Sequence, residues 1–270
     1  MSSAPDSSDH ANGIGAAIRK LFSLPDDARI FRPLLIIAGT ATTLIAAFAW
    51  SAGWLTPSRL TPQRIVGTFN TNFGIHPGFR RNHAKGVCVA GYFDGNGKAS
   101  VLSSAAVFDA IRTPVIGRFA IPGGNPSIAD AGSPVRSMAL LFQLPHGEQW
   151  RTGMNNTPVF IVNTPQGFYE QLLASRPDPK TGKPDPAKMK AFFDAHPETT
   201  PFRDWVKSHP SSSGLANGSY YSINAFELVD RNGMQHAVRW TMVPELAYAP
   251  VSTPPPNDHD FLSEELVQKL

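Results

Sequence analysis

Three polar side chains stand out because each lies within or beside an apolar stretch. His83 comes directly before the apolar run Gly86–Phe93, Arg118 interrupts another apolar run, and Asn155 opens the segment Asn155–Pro158. A histidine suits proton transfer because its pKa is near neutral. An asparagine amide donates hydrogen bonds, and a buried arginine needs an anionic partner. Together these residues offer a proton shuttle, a neutral donor and a cation for carboxylates, but they include no nucleophile.

Each of these residues also has a structural interpretation, and the motifs of several other enzyme classes are missing. A lone histidine more often makes a structural hydrogen bond, and Asn155–Pro158 has ordinary turn chemistry. The sequence contains no GxGxxG before a helix, no Walker-type lysine loop, no HExxH and no GxSxG. Its single cysteine excludes an internal disulfide framework and a CxxC metal site. Hydrolase, kinase and zinc-enzyme hypotheses therefore lack a motif.

The elements that must position these residues come in blocks of strands, then helices, then strands. Apolar runs and turn signals predict strands over 86–93, 114–121, 136–144 and 158–162, and a hairpin over 225–243. Helical spacing is predicted over 61–72, 103–111, 168–174, 186–195, 201–207 and 261–270. This order predicts an α+β fold in which the hairpins suit an antiparallel barrel.

An uncharged apolar segment occupies residues 33–55, where PLLIIAGTATTLIAAFAWSAGWL contains no charged residue. Its length is sufficient for the hydrocarbon core of about 30 Å. Basic residues are more frequent before the segment than after it, which favours a cytoplasmic N-terminus. These residues are Arg19, Lys20, Arg29 and Arg32 before it, and Arg59 and Arg64 after it. A cleaved signal peptide is the alternative, because Ala47–Ala49 resembles a cleavage site.

These features predict three regions: a disordered cytoplasmic tail over 1–30, a transmembrane anchor over 31–55, and a globular domain over 56–270. The anchor would be single-pass in the inner membrane, with the domain on the periplasmic side. With 24 Lys and Arg against 21 Asp and Glu the net charge is +3. Because the charge is mild and lacks basic runs, no nucleic-acid partner is expected.

Four sequence blocks resemble the haem catalases, and they occur in the order of that family. Arg80–Gly86 is similar to the R-x-x-H-A-K-G core, and Thr113–Phe119 to the T-P-x-x-x-R-F strand. Ala129–Phe142 resembles the A-D to R-G-x-A-x-K-F stretch, and Gly153–Phe160 is close to G-N-N-T-P-x-F. The anchor and the short chain indicate the small branch of catalase-related peroxidases. The resemblance covers about residues 61–245, and it implies the catalase-like antiparallel β-barrel with added helices.

The resemblance also implies a role for each candidate site residue around haem b. His83 would be the distal base and Asn155 the donor that orients the peroxide. Arg80 and Arg118 would pair with the haem propionates, Phe160 and Phe168 would pack against the haem, and Asp130 would belong to the peroxide channel. The family commonly has a serine, hydrogen-bonded to the distal histidine, where this chain has Ala120.

The iron ligand expected from the resemblance is a tyrosine in an R-x-x-x-Y helix. None of the five tyrosines of this chain has an arginine four residues before it. The axial tyrosine is therefore expected beyond Leu270, in a chain that would be C-terminally truncated, and the metal ligand stays unknown.

The resulting hypothesis is a haem-dependent peroxidase that reduces hydrogen peroxide with an organic electron donor, with some catalase activity possible, in defence against oxidative stress. The alternative is a non-catalytic haem- or lipid-binding barrel on a membrane stalk, suggested by the missing proximal segment. A third hypothesis is rearrangement of fatty-acid hydroperoxides. Fold similarity does not decide between these chemistries.

Overall fold

A computed structural model describes residues 28–55, 59–251 and 259–270. The chain divides into two compact units, Met1–Thr61 and Pro62–Leu270. The first unit contains helix α1 (Ala28–Ser51), and the other helices and strands of the described residues lie in the second. The predicted tail over 1–30 lies outside the described residues except for its last three, which begin α1.

Helix α1 carries the apolar segment identified in the sequence. Its stretch Pro33–Ser51 has 19 residues, of which 6% are buried. Apolar side chains such as Leu35 and Ile45 are each 69% exposed. The helix ends at Ser51, before the predicted limit at residue 55. A helix of this length and composition near the N-terminus suits a membrane span or a signal sequence.

The second unit is built on an antiparallel sheet. Its strands are β1 (Gly86–Asp94), β2 (Arg112–Ala120), β3 (Ser137–Gln143), β4 (Gln149–Asn155), β5 (Tyr220–Tyr221), β6 (Phe226–Val229), β7 (Gln235–Val238) and β8 (Thr241–Met242). One sheet has the order β1-β2-β3-β4-β5-β8, and β6 and β7 form the predicted hairpin. The arrangement is a half-barrel with added helices, so the predicted α+β class is confirmed.

Four of the described helices of this unit begin within one residue of the predicted start, and the helix predicted over 168–174 begins three residues earlier, at Pro165. The helices are α2 (Pro62–Phe73), α3 (Pro165–Ala174), α4 (Pro186–Ala195), α5 (Thr200–Ser208) and α6 (Phe261–Lys269). The side chain of Thr164 accepts a hydrogen bond from Gly167 N at the start of α3, and Asp185 accepts one from Ala187 N at the start of α4. Proline follows each of these capping residues, which places it where it needs no hydrogen bond.

The core lies mainly against one face of the sheet. One buried cluster contains Phe119, Ile121, Met154, Leu215, Tyr220, Leu262 and Leu266, and a second contains Val107, Phe142 and Leu144. Successive residues of a strand point to opposite faces. Because Phe119 and Met154 point into the core, their neighbours on β2 and β4 point to the other face, where the candidate site lies.

Two local predictions are wrong. Residues 158–162 form no strand, and Asn155 ends β4 instead of opening a strand. Pro158 has no N–H for a ladder, and the apolar run after it is partly buried by packing. The helix predicted over 103–111 is only a short 3₁₀ turn, Ala106–Phe108, which buries Val107.

Candidate active site

A cavity of about 350 Å³ lies on the face of the sheet opposite the larger core cluster. Its lining includes five of the residues singled out from the sequence: Arg80, His83, Arg118, Asn155 and Phe160. These residues are up to 80 positions apart in the chain. The fold therefore assembles most of the predicted site in one place.

Strand register explains how β2, β3 and β4 form one wall of this cavity. Two cross-strand rows contribute to it: Ala120, Ser137 and Asn155, and Arg118, Ala139 and Gly153. Residues directly opposite each other in antiparallel strands point to the same face. Ala120, Ala139 and Gly153 carry at most a methyl group on this wall, and a Cβ added at Gly153 would meet nothing within 4 Å.

The backbone of His83 is held in an uncommon conformation. Its φ is 56°, in the left-handed region that non-glycine residues rarely adopt. The side chain of Asn82 supports this turn, because its Oδ1 accepts hydrogen bonds from His83 N at 3.0 Å and Gly123 N at 2.8 Å. Ala84 N also donates to Gly123 O at 3.0 Å. These bonds fix the turn that carries the imidazole.

The His83 imidazole is kept neutral by its surroundings. Burial, followed by the positive charges of Arg118 and Arg80, lowers its pKa from the ordinary value of 6.5. Nδ1 is buried and has no hydrogen-bond partner among the described residues. Ala120, which lines the same cavity, has no hydroxyl to offer it. A neutral imidazole with one buried nitrogen is suited to act as a base through Nε2.

The amide of Asn155 is oriented by its neighbour on β3. Ser137 Oγ donates a hydrogen bond to Asn155 Oδ1 at 2.6 Å. Because Oδ1 is engaged in this way, Nδ2 is the group that the side chain offers as a donor to the cavity. The next residue, Asn156, accepts a bond from Arg136 N through Oδ1 at 2.9 Å and so fixes the end of the strand.

Two guanidinium groups line the cavity, and its lining includes no carboxylate. Arg118 Nη2 donates to His83 O at 2.9 Å and to Ala84 O at 3.3 Å, which ties β2 to the turn of the candidate base. Arg80 precedes that base by three residues. Two cations without a carboxylate in the same cavity suit an anionic ligand.

The two predicted aromatic residues lie in neighbouring cavities. Phe160 lines the cavity of His83 and also a cavity of about 670 Å³ next to it, which Phe168 lines as well. Ile223 is shared by both cavities too. The two cavities therefore adjoin, and Phe168 lines the second cavity but not the cavity of His83.

Asp130 does not line the cavity of His83. Its Oδ1 lies 2.7 Å from Lys85 Nζ in an ion pair whose side chains are 3% and 12% exposed, respectively. Its Oδ2 accepts a hydrogen bond from Leu262 N at 2.8 Å, in the first turn of α6. Asp130 thus joins β1 to α6, and its role in a peroxide channel stays a prediction.

Three residues that the sequence reasoning did not identify support the site. Ser137 orients Asn155, Asn82 holds the His83 turn, and Gly86 leaves room for the Arg118 guanidinium. The sequence signal for Asn82 was its place directly before the histidine, in turn chemistry. Ser137 and Gly86 act through strand pairing, for which the sequence carried no direct signal.

None of the five tyrosines, all of which are described, lines the cavity of His83. Over residues 28–55, 59–251 and 259–270 there is also no cluster of three or more His, Cys, Asp or Glu side chains that would hold a metal ion. The described residues therefore supply a base, an oriented donor and cations, but no evident metal-ligand set.

Comparison with known proteins gives one consistent match. The sequence profile of the family described as catalase matches residues 78–267. A catalase-related peroxidase of Synechococcus elongatus is 35% identical over 246 residues, which are 89% of this chain and 71% of that protein. A catalase-related peroxidase of Mycolicibacterium paratuberculosis is 31% identical over 216 residues, which are 78% of this chain and 67% of that protein.

Two solved structures share the fold. A bacterial catalase superposes with a TM-score of 0.64 at 19% identity, covering 70% of this chain and 38% of the other. A fungal catalase superposes with a TM-score of 0.62 at 19% identity, covering 71% of this chain and 40% of the other. The chain thus spans about two fifths of the length of these two catalases.

Proposed function

Because this chain belongs to the catalase family, we propose that it is a haem-dependent peroxidase that reduces hydrogen peroxide with an organic electron donor. The observation that carries the proposal is the cavity in which His83, Asn155 and two arginines meet. Removal of peroxide in defence against oxidative stress is the physiological role that follows from this chemistry.

The residues of the cavity fit haem b. Ala120, Ala139 and Gly153 carry at most a methyl group, with open space above Gly153, which leaves room for a planar macrocycle. Phe160 and Phe168 offer aromatic surface in the adjoining spaces. Arg80 and Arg118 would hold the propionates through charge-assisted hydrogen bonds. Haem bound here would supply the redox-active iron at which the peroxide is reduced.

His83 and Asn155 would transfer the peroxide proton and orient the peroxide, respectively. His83 would take a proton from one peroxide oxygen at Nε2 and return it to the departing oxygen. The lowered pKa of His83 keeps the imidazole in its accepting form at neutral pH. Asn155 Nδ2 would donate a hydrogen bond that orients the peroxide, because Ser137 engages the amide oxygen.

We also propose how the regions of this chain are arranged across a membrane. Residues 31–55 would anchor the chain in the inner membrane, with 1–30 as a cytoplasmic tail and 56–270 as the periplasmic haem domain. Support comes from the predominantly apolar 19-residue stretch Pro33–Ser51 and from the basic residues that precede it. In sealed, inverted inner-membrane vesicles, an added protease should digest the cytoplasmic tail and leave the enclosed domain intact. The reverse pattern would contradict this orientation.

The test of the activity is haem titration of the purified full chain, followed by hydrogen peroxide and a chromogenic reductant. We expect a saturable, red-shifted Soret band and turnover that falls by about 10²–10⁴-fold in His83→Ala. Haem uptake by that variant should persist. His146→Ala is the matched control, because His146 is exposed and has the same left-handed backbone, with φ 60°.

Equal turnover in the two variants would remove His83 from the mechanism. A bound haem that is inert to peroxide would instead support the non-catalytic haem-binding barrel. Preference for fatty-acid hydroperoxides over hydrogen peroxide would identify the rearrangement chemistry.

A further inference from the structure

A cavity of about 320 Å³ lies beside the proposed active site, and the proposed mechanism does not use it. The lining residues of the two cavities are neighbours where β4 pairs with β5. Asn155 lines the first cavity, and its pairing partner Tyr221 lines the second. The residue after Asn155, Asn156, lines the second cavity as well. A molecule bound there would lie within a few residues of the proposed peroxide site.

Aromatic side chains form much of the lining of this second cavity. Trp205 meets Tyr221 edge-on at a centroid distance of 5.8 Å and an interplanar angle of 84°. The imidazole of His209 stacks on Trp205 at 3.5 Å and 8°. Tyr248 also lines the cavity, and its hydroxyl donates to Pro210 O at 2.8 Å. Rigid aromatic walls of this kind favour a flat aromatic ligand.

The hydrogen bonds of His209 define its tautomer. Nδ1 lies 2.9 Å from Ser208 Oγ and 3.2 Å from Trp205 O. Trp205 O can only accept, and Ser208 Oγ uses its own proton on Asp204 O at 2.7 Å. These contacts favour the tautomer with the proton on Nδ1, in which Nε2 is an acceptor. An acceptor beside aromatic walls suits a hydroxyl group on an aromatic ring.

The charge of the lining restricts the ligand further. The cavity has no Asp, Glu, Lys or Arg among its lining residues. A carboxylate or phosphate ligand would find no counter-charge there, whereas a neutral ligand needs none. The volume lies at the lower end of the range for small-molecule pockets. These properties together favour a small neutral phenol.

We propose that this second cavity binds a small neutral phenol that serves as the electron donor of the proposed peroxidase; the donor role rests on the proposed function. Each phenol would lose one electron to the peroxide reaction in the neighbouring cavity and one proton to His209 Nε2. His209 would release that proton to solvent, and the peroxide oxygens would take up an equal number of protons. Two phenols and one hydrogen peroxide give two water molecules and two phenoxyl radicals, so electrons and protons balance. Trp205 holds the ring, and His209 accepts from the hydroxyl.

Binding to the haem-free full chain in detergent tests the site by itself. Titration calorimetry with 4-methoxyphenol should show saturable binding that is tighter than binding of 1,4-dimethoxybenzene, which has no hydroxyl. Trp205→Leu should weaken binding of both compounds by about ten-fold through loss of the aromatic wall. His209→Phe keeps the stacked ring and removes the acceptor, so the preference for the phenol should disappear.

The matched control is Tyr92→Leu, which removes an aromatic ring that is 70% exposed on β1 and outside this cavity. Equal binding by Trp205→Leu and Tyr92→Leu would overturn the site, and so would a phenol preference that survives His209→Phe. In the haem-loaded chain, the KM for 4-methoxyphenol should rise in Trp205→Leu by a similar factor. Intact phenol binding without any peroxide turnover would support the site and overturn the proposed function.

Discussion

The guanidinium of Arg118 packs directly on the backbone of Gly86. A Cβ added at Gly86 would lie 2.7 Å from Arg118 Cζ and 2.3 Å from Phe119 O. Because Arg118 also binds the carbonyl oxygen of His83, this contact places the cation, the first residue of β1 and the candidate base in one assembly.

Gly86→Ala should displace Arg118 and strain the β1–β2 pairing. We expect a loss of about 1–3 kcal/mol of unfolding free energy, the usual range for overpacking, together with weaker haem uptake. Urea unfolding and Soret titration measure the two effects. Gly91→Ala on the same strand is the control, since its Cβ would meet nothing within 4 Å. Equal stability of the two variants would show that the contact is easily relaxed.

The acid limb of peroxide turnover should lie below the ordinary histidine pKa of 6.5. Only the neutral imidazole accepts a proton, and burial together with Arg118 and Arg80 lowers the pKa of His83. Arg118→Met removes one positive charge, so the pKa should rise and the limb should move to higher pH. The measurement is kcat/KM for peroxide between about pH 4 and 8. Arg112→Met, at an exposed pair with Asp94, should leave the limb in place.

Ala120→Ser should improve the base. His83 Nδ1 is buried without a partner, and residue 120 lines the same cavity. A hydroxyl there would engage Nδ1, fix the tautomer and raise turnover by about ten-fold or less, the effect of one net hydrogen bond. Stopped-flow consumption of peroxide measures the gain. Ala139→Ser, elsewhere on the same wall, should give none, and an equal gain in both would refute the role of Nδ1.

Asp130→Asn should destabilise the domain strongly. Lys85 Nζ would lose its buried carboxylate partner and keep Asp260 Oδ1 at 3.0 Å, on a side chain that is 62% exposed. Breaking a buried pair from one side costs about 3–5 kcal/mol, which is an upper limit for this variant. Asp94→Asn is the contrasting control, because the side chains of the Asp94–Arg112 pair are 63% and 66% exposed. Solvent screens such a surface pair, so Asp94→Asn should unfold at nearly the same urea concentration as the unmodified chain. Urea unfolding of both variants measures the two losses of unfolding free energy. Equal losses would show that burial of the Asp130–Lys85 pair does not increase its contribution.

A histidine held by two carboxylates should make stability depend on pH. His196 Nδ1 lies 2.8 Å from Glu198 Oε1, and Nε2 lies 2.8 Å from Glu170 Oε2. Hydrogen bonds that His196 donates to Glu198 and then to Glu170 raise its pKa above 6.5. Its contribution is therefore complete below pH 6.5 and is lost as pH rises through the raised value.

The two glutamates set the acid side of this window. Bonds from Gln166 and His196 lower the pKa of Glu170, and the bond from His196 lowers that of Glu198, from 4.5. Their contribution is present above that pH and is lost as pH falls through the lowered values. His196→Gln should thus lower Tm modestly, and most at about pH 5–6. A deficit in Tm that is constant from pH 5 to 9 would argue against the ionic contribution.

Much of the fold could be predicted from local signals. Helical spacing gave the helix over 186–195 with its observed limits, and apolar runs with turn signals gave β1 and β2 to within two residues. The blocks around His83 and Asn155 pointed to one site because four blocks occur in the order of the catalase family. Family resemblance, more than composition, brought them together.

The parts that could not be predicted depend on contacts between distant segments. Ser137 and Asn155 are 18 residues apart and meet only because of the β3–β4 register. Asp130 received a channel role from its position in a motif, whereas the structure pairs it with Lys85. The strand expected after Asn155 was misplaced because a run of apolar residues does not distinguish a strand from a packed loop.

The left-handed backbone conformation of His83 lowers the stability of the folded domain. Glycine would adopt φ 56° without the cost of about 1–2 kcal/mol that a side chain brings. Replacing the histidine with glycine would therefore relax the turn while it removes the imidazole. A library of this position selected for heat resistance alone would drift away from histidine, and one selected for peroxide removal would retain it. The residue on which the chemistry depends is one that selection for folding alone would discard.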